Sequence, residues 1–392
     1  MSVYGRGIYR ALRFLSKFII MKNALTLLLV TLAWGHAKSQ SSGWIPFEIS
    51  RGQICLPVMV NGHPATARLI NYGTTRVDKD LVATIGLEPT KKDSSHPSEV
   101  SLDIGLGNLS LQKGLVANLY LHIPATPPYD IFLGDEPFQQ CIVDIDFPNK
   151  KIAFFKPDGF TPPEGAVALN FGLHGESRAI PLSVEGGPEL SYWVYLGDPA
   201  PMSIYASYFQ PHGMLQDRAA SVRMGGGRRT PPEAIATVKE ARVAGLEYQN
   251  IPSVFPDDSV TGEHPAEIAG HIGLALCARA RVIFDYAHDR LYWVPGKASA
   301  KGFPKDYTGL VVVKSQDDYV VKYVSPHSPA MKAGLKVGDT IIQINHQPVL
   351  AFQGIAWQSP AWSTVQATKP GATYTIILKD SSVLKLTTAE FF

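Results

Sequence analysis

The chain has 392 residues, of which 45% are apolar and 18% charged, and a formal charge of +2. That length exceeds the roughly 100 to 200 residues one core usually organises, so two or three domains are expected. Positive and negative residues intermingle without a long run of like charge, which argues against a nucleic-acid partner.

Residues 1–40 read as an export signal. Arg6, Arg10, Arg13, Lys17 and Lys22 precede the apolar stretch Ala24 to Trp34, and Gly35 and Ala37 supply small residues for cleavage. Lys17 and Lys22 interrupt the stretch from Phe14 to Trp34, leaving too short an apolar run to span a bilayer. The expected location is therefore the periplasm or cell envelope, with an uncleaved signal the one route to a membrane. Cys55, Cys141 and Cys277 are widely scattered, forming neither a metal spacing nor a dense disulfide framework, and read as small buried hydrophobes.

The next elements are strands. Ile54, Leu56, Val58 and Val60 alternate with other residues, and Asn61-Gly62 provides the left-handed turn of a tight hairpin. The returning strand, Thr66 to Ile70, runs into Asn71-Tyr72-Gly73-Thr74-Thr75. A short helix is predicted from Asp78 to Ile85, stopped by Gly86. Further strands follow around Gly107-Asn108 and from Cys141 to Phe155.

An internal repeat organises the rest. Leu133-Gly134 opens a segment ending Ile142-Val143-Asp144-Ile145-Asp146-Phe147, a turn, then Lys151-Ile152-Ala153-Phe154. The same pattern recurs 139 residues on, from Leu133 to Ile272 and Gly134 to Gly273, ending Val282-Ile283-Phe284-Asp285-Tyr286, a turn, then Arg290-Leu291-Tyr292-Trp293. The strand before Asn61-Gly62 is echoed by Leu182-Ser183-Val184-Glu185-Gly186. Residues 48–157 and 176–296 are thus read as two copies of one β-rich unit, and a third unit spans 306–392.

The repeated unit resembles the retropepsin-like lobe of aspartic proteases, in which a strand delivers Asp-Thr-Gly to a loop and a later strand begins hydrophobic-Leu-Gly. Here Ile131-Phe132-Leu133-Gly134 and His271-Ile272-Gly273-Leu274 match the second element. The resemblance implies a mainly β fold of two such barrel lobes in tandem. Its chemistry requires two carboxylates sharing one proton and one water. Yet Asn71-Tyr72-Gly73 stands where Asp-Thr-Gly is expected, and an amide neither ionises nor passes on a proton.

In the second copy two counts compete. Counting on from the hairpin glycine, Gly62 leads to Asn71 and Gly186 to Tyr195-Leu196-Gly197. Counting back from the end of the following helix, Gly86 leads to Asn71 and Gly213 to Asp198-Pro199-Ala200. Asn71, Gly73 and either Asp198 or Tyr195 are the dyad-equivalent positions, and under both counts the pair is incomplete. The resemblance places flaps at the hairpins around Gly107 and Gly225-Gly226-Gly227. Asp146 and Asp285 read as turn formers.

No His-Glu-x-x-His, phosphate loop or Gly-x-Ser-x-Gly occurs, so no metal, no cofactor and no serine nucleophile is expected; His264 and His271 read as ordinary histidines. Val324-Ser325-Pro326-His327-Ser328-Pro329-Ala330, Ala333-Gly334-Leu335 and Gly338-Asp339 resemble the PDZ domain carried by bacterial envelope proteases. That resemblance implies that Gly309, Leu310, Val311 and Val312 form a peptide-binding loop and strand, facing a helix from Ala361 to Gln366. An alternative is that the groove binds nothing, or binds the lobes themselves. The expected function is a catalytically impaired pseudoprotease that binds polypeptides or protein C-termini. The alternative is an active aspartic endopeptidase with a non-standard dyad.

Overall fold

The computed structural model describes residues 41–392 apart from 51, 91–97, 121–128, 176, 217, 224–232, 258–263, 304, 316, 350–354, 358–364 and 368. The signal segment 1–40, the glycine run Gly225-Gly226-Gly227 and the first residues of the expected PDZ helix, 361–364, lie outside that set. Among the described residues no helix is long and apolar enough to cross a membrane.

Alternation sets the strands. In Gln53–Val60 every second residue from Ile54 is buried, and Asn61 and Gly62, with φ of 48° and 80°, turn the chain so that Val60 pairs with His63. Glu185 and Gly186, with φ of 51° and 72°, make the equivalent turn between Ser177–Val184 and Glu189–Tyr195.

The two halves then repeat one uncommon path. In the first, His63–Leu69 runs parallel to Ile131–Leu133, which is antiparallel to Arg76–Asp78, itself parallel to Leu115–Tyr120. In the second, Glu189–Tyr195 runs parallel to Ile268–Gly273, which is antiparallel to Met202–Ile204, itself parallel to Leu246–Phe255. The predicted first-half helix is present as Lys79–Thr84, capped by the Asp78 side chain.

The lobes share a six-stranded sheet in which Ile142–Asp146 pairs antiparallel with Arg281–Asp285. Asp144 lies opposite Ile283, its own counterpart at the repeat offset of 139 residues. A residue can pair with its own repeat partner in an antiparallel ladder only if an approximate two-fold axis passes between them. Arg281 clamps the fully buried Asp144 from the other lobe, with Nε and Nη2 donating at 2.8 and 2.5 Å. Asp146 and Asp285 cap their turns by accepting from the backbone N–H of Asn149 and His288, as expected. One apolar core runs through both lobes.

One expectation is corrected here. The hairpin at Gly107 does not stand free as a flap. A Cβ at Gly107 would fall 2.4 Å from the Ser42 carbonyl oxygen, and Asn108 donates its N–H to that same carbonyl, so the turn is packed onto the segment entering the shared sheet.

The C-terminal unit has a separate core around Leu310, Val312, Val321, Ile341, Ile344, Ile376 and Leu386. Its strands lie in the order Leu310–Ser315, Asp318–Val324, Thr340–Ile344, Thr373–Leu378, Val383–Thr387. Ser328 caps the helix Pro329–Lys332, and Gly334 and Gly338 adopt φ of 88° and 96°, the left-handed geometry their turns need. Val365–Ala367, expected to end a helix, is instead a strand paired with Ile355–Trp357. Pairing satisfies its backbone groups, which so short an isolated helix does poorly.

Candidate functional site between the lobes

The loops 70–76 and 195–202 meet at the seam between the lobes, and strand register fixes which residues correspond. On entry, Leu69 pairs with Leu133 and Val194 with Ile272, so Asn71 corresponds to Leu196. On exit, Val77 pairs with Ile131 and Ile204 with Gly270, so Asn71 corresponds to Asp198. The second loop is two residues longer, since 69 to 77 spans eight positions and 194 to 204 spans ten. Counting back from the helix therefore finds Asp198, whereas counting on from the hairpin falls one short of Leu196, at Tyr195.

Asn71 is buried and committed to the opposite lobe. Its Nδ2 donates to the Val194 carbonyl at 2.7 Å, and its Oδ1 accepts the Leu196 N–H at 2.8 Å. The Tyr286 hydroxyl donates to the Asn71 carbonyl at 3.2 Å. A carbonyl needs a donor and an N–H needs an acceptor, and a carboxamide supplies both at the spacing of a peptide group. Gly73, at φ 70°, turns the chain so that its carbonyl accepts from Asp135. Gly134 leaves room for that carbonyl, which a Cβ there would meet at 2.1 Å. Thr75 is buried and locks the loop to Glu136, donating its Oγ1 at 2.6 Å and its N–H at 2.8 Å.

Across the seam, Asp198 is held within its own lobe. Oδ1 accepts from the Ala200 N–H at 2.9 Å, and Oδ2 lies 2.8 Å from His271 Nε2 and 3.4 Å from the Ser203 hydroxyl. His271 Nδ1 in turn lies 2.9 Å from the buried Tyr205 hydroxyl, which burial holds well above the ordinary tyrosine range. A chain of three titratable side chains thus runs inward from the loop. Sequence reasoning set His271 aside; its register opposite Ser203, beside the Asp198 loop, becomes visible only once the strands are paired.

Tyr72 joins the two sides. Its ring centre lies 4.9 Å from that of Tyr195 with the planes tilted by 48°, and its hydroxyl abuts Gly197, where a Cβ would fall 2.5 Å away. Although Tyr72 is 38% exposed overall, burial of its hydroxyl end raises its pKa, and the charges of Asp198 and Tyr195 add to the effect while Arg68 and Arg76 oppose it. Gly52 and Gln53 close the seam, Gly52 against Pro199 and Gln53 by donating Nε2 to the Gly197 carbonyl at 3.2 Å.

In the C-terminal unit, Leu310, Val311 and Val312 are buried in the strand expected to receive a peptide, and Gly309 precedes it at φ 69°. The loop amides are engaged internally. Asp306, fully buried, accepts from the N–H groups of Thr308 and Gly309 and from the Ser221 hydroxyl of the second lobe, at 2.8, 3.0 and 3.2 Å. The Leu310 N–H goes to Thr308 Oγ1 at 3.2 Å. Burial pushes the Asp306 carboxyl up to about 6, against the pull of those donors.

None of the curated proteins matches the chain. Among solved structures it is similar to the aspartic proteinase from Irpex lacteus, at 11% identity and a TM-score of 0.43, over 66% of this chain and 98% of that one. The two-lobe description rests on the strand registers rather than on that likeness. Residues 320–358 match the family model of the PDZ domain, so the chain ends in a PDZ domain.

Proposed function

We propose that the chain is an exported polypeptide-binding module, a pseudoprotease whose two lobes grip extended chain without cutting it. Its units are the segments 48–157, 176–296 and 306–392, following a signal within 1–40. The observation that carries this reading is the Asn71 carboxamide, fixed between the Val194 carbonyl and the Leu196 N–H. Acid-protease chemistry needs one carboxylate to take a proton from water and a second to polarise the scissile carbonyl. Neither Asn71 nor its entry-side counterpart Leu196 can do either. The test is hydrolysis of unfolded peptides by purified protein from acid to neutral pH, beside a binding titration. Binding without cleavage is expected, and cleavage abolished by Asp198→Ala would overturn the proposal.

A second reading, endopeptidase action through a non-standard acid, is favoured by one observation: Asp198 is coupled through His271 to Tyr205. Such a chain can move a proton, but it leaves the loop facing it with an amide. For the PDZ domain, the family binds peptides or protein C-termini by strand addition. Here Asp306 already occupies the loop amides, which supports the version in which the groove engages the second lobe. A C-terminal peptide would have to displace that carboxyl.

A further inference from the structure

The side of the first-lobe sheet turned away from its core carries a charged group that the reading above does not use. Arg68 alternates with the buried Ala67 and Leu69, so its side chain leaves the core on the opposite face of the strand. It lies directly across from Cys55 on one neighbouring strand and beside Phe132 on the other. Its guanidinium sits 5.5 Å from the Tyr129 ring centre and 5.2 Å from that of Phe132. Arg68 is half-buried, its Nε is buried without a hydrogen-bond partner, and no carboxylate among the described residues forms an ion pair with it. Burial lowers its pKa, opposed by Tyr129, Cys55 and Tyr72 and by a side-chain hydrogen bond to Tyr129.

A desolvated cation without a counter-ion is costly, and the two aromatic faces offset only part of that cost. On the same face, Gln53 spends its Nε2 on Gly197 while its Oε1 is buried with no partner. One donor and one acceptor are therefore idle beside Tyr72, with exposed Arg76 reinforcing the positive side. The two-fold counterparts of Arg68, Phe132 and Arg76 are Trp193, His271 and Ser203, so this charge belongs to the first lobe alone.

We propose that this face of the first lobe is the subsite for a carboxylate side chain, Asp or Glu, of the polypeptide held between the lobes. The carboxylate meets the guanidinium of half-buried Arg68 from its solvent side, above the Tyr129 and Phe132 rings. A charge-assisted contact of this kind makes the acidic peptide bind about ten-fold or more tightly than its amide counterpart.

This inference rests on the polypeptide-binding reading, and one experiment separates the two. Blocked, fluorescein-labelled heptapeptides of Ala, Val and Leu carry Glu or Gln at each position in turn, and anisotropy titrations use the full chain, its Arg68→Met variant and its Arg68→Lys variant. Glu should be preferred over Gln at one position, the preference should persist in part in Arg68→Lys, and it should vanish in Arg68→Met. Equal binding of the Glu and Gln peptides to the natural chain overturns the subsite and leaves polypeptide binding standing. Failure of every peptide to bind overturns both. A lowered melting temperature with an unchanged Glu preference assigns Arg68 a structural role and also overturns the subsite.

Discussion

Asn71→Asp tests the seam most directly. The substitution keeps shape and keeps an acceptor for the Leu196 N–H, but it replaces the donor 2.7 Å from the Val194 carbonyl with a second oxygen. At a buried position, leaving that carbonyl unsatisfied costs about 1–3 kcal/mol, and ionising the new carboxyl there costs more. A protonated carboxyl donates again and removes the conflict. The folded state therefore raises the introduced carboxyl above its unfolded value near 3.9 and binds more protons than the unfolded chain. Stability relative to the natural chain is retained below about pH 4 and falls as pH rises through the folded value. Thermal denaturation followed by circular dichroism from pH 4 to 8 should give nearly coincident melting temperatures at the acid end. At pH 7 the variant should melt about 2–12 °C lower, since each kcal/mol corresponds to about 2–4 °C for domains of 150–250 residues. Peptide hydrolysis that appears only in this variant would support the amide as the missing acid, with Asp198 as the exit-side counterpart. A variant as stable as the natural chain at pH 7 would refute the cross-lobe role assigned to this carboxamide.

Further predictions address the contacts that set the seam and the PDZ domain. Asp306 is favoured in its protonated form by the fold, so its contribution is present below about pH 4 and is lost as pH rises through about 6. The interval between an unfolded value near 3.9 and about 6 corresponds to roughly 3 kcal/mol. Asp306→Asn should flatten the pH dependence of melting between pH 4 and 7, and a profile parallel to the natural chain's would contradict this. Arg281→Ala strands the buried Asp144 carboxyl in the shared sheet and should cost about 3–5 kcal/mol in urea denaturation. A loss under about 1 kcal/mol would mean that the ion pair contributes little. Gly273→Ala places a Cβ 2.2 Å from the Ala200 carbonyl and 2.6 Å from that of Asp198, so the Asp198 loop must move. The expected cost is about 1–3 kcal/mol, read from the denaturation midpoint, with altered His271 ring resonances in NMR spectra.

The repeat, both hairpins and the first-lobe helix were legible because each rests on local pattern: alternation of Ile54 to Val60, left-handed residues at Asn61-Gly62 and Glu185-Gly186, and the constant 139-residue offset. The correspondence of Asn71 was only half legible. A two-residue insertion between Val194 and Ile204 lets entry and exit give different answers, and only the pairing of both flanking strands with Ile268–Gly273 separates Leu196 on entry, one beyond the Tyr195 of the hairpin count, from Asp198 on exit. The roles of Arg68 and His271 were not legible, because alternation says that a side chain leaves the core but not which neighbouring strand covers it. Asp306 escaped for a related reason. Its partner Ser221 lies 85 residues away in another unit, and no local periodicity carries that information.

These misses share a physical pattern that bears on function. A cutting site built on a two-fold axis needs like groups from both halves, since the two carboxylates must share one proton. The backbone here keeps that symmetry in strand path, register and shared sheet, while the side chains around the two seam loops abandon it. Arg68 and Phe132 of one lobe correspond to Trp193 and His271 in the other, and Asn71 corresponds to Leu196 on entry and Asp198 on exit. The seam is consequently polarised, with cations on the first lobe and the Asp198 carboxyl on the second, both acting on Tyr72. A polarised seam suits an extended ligand with a definite direction and an acidic residue at a definite place. It does not suit a water molecule held equally by two acids.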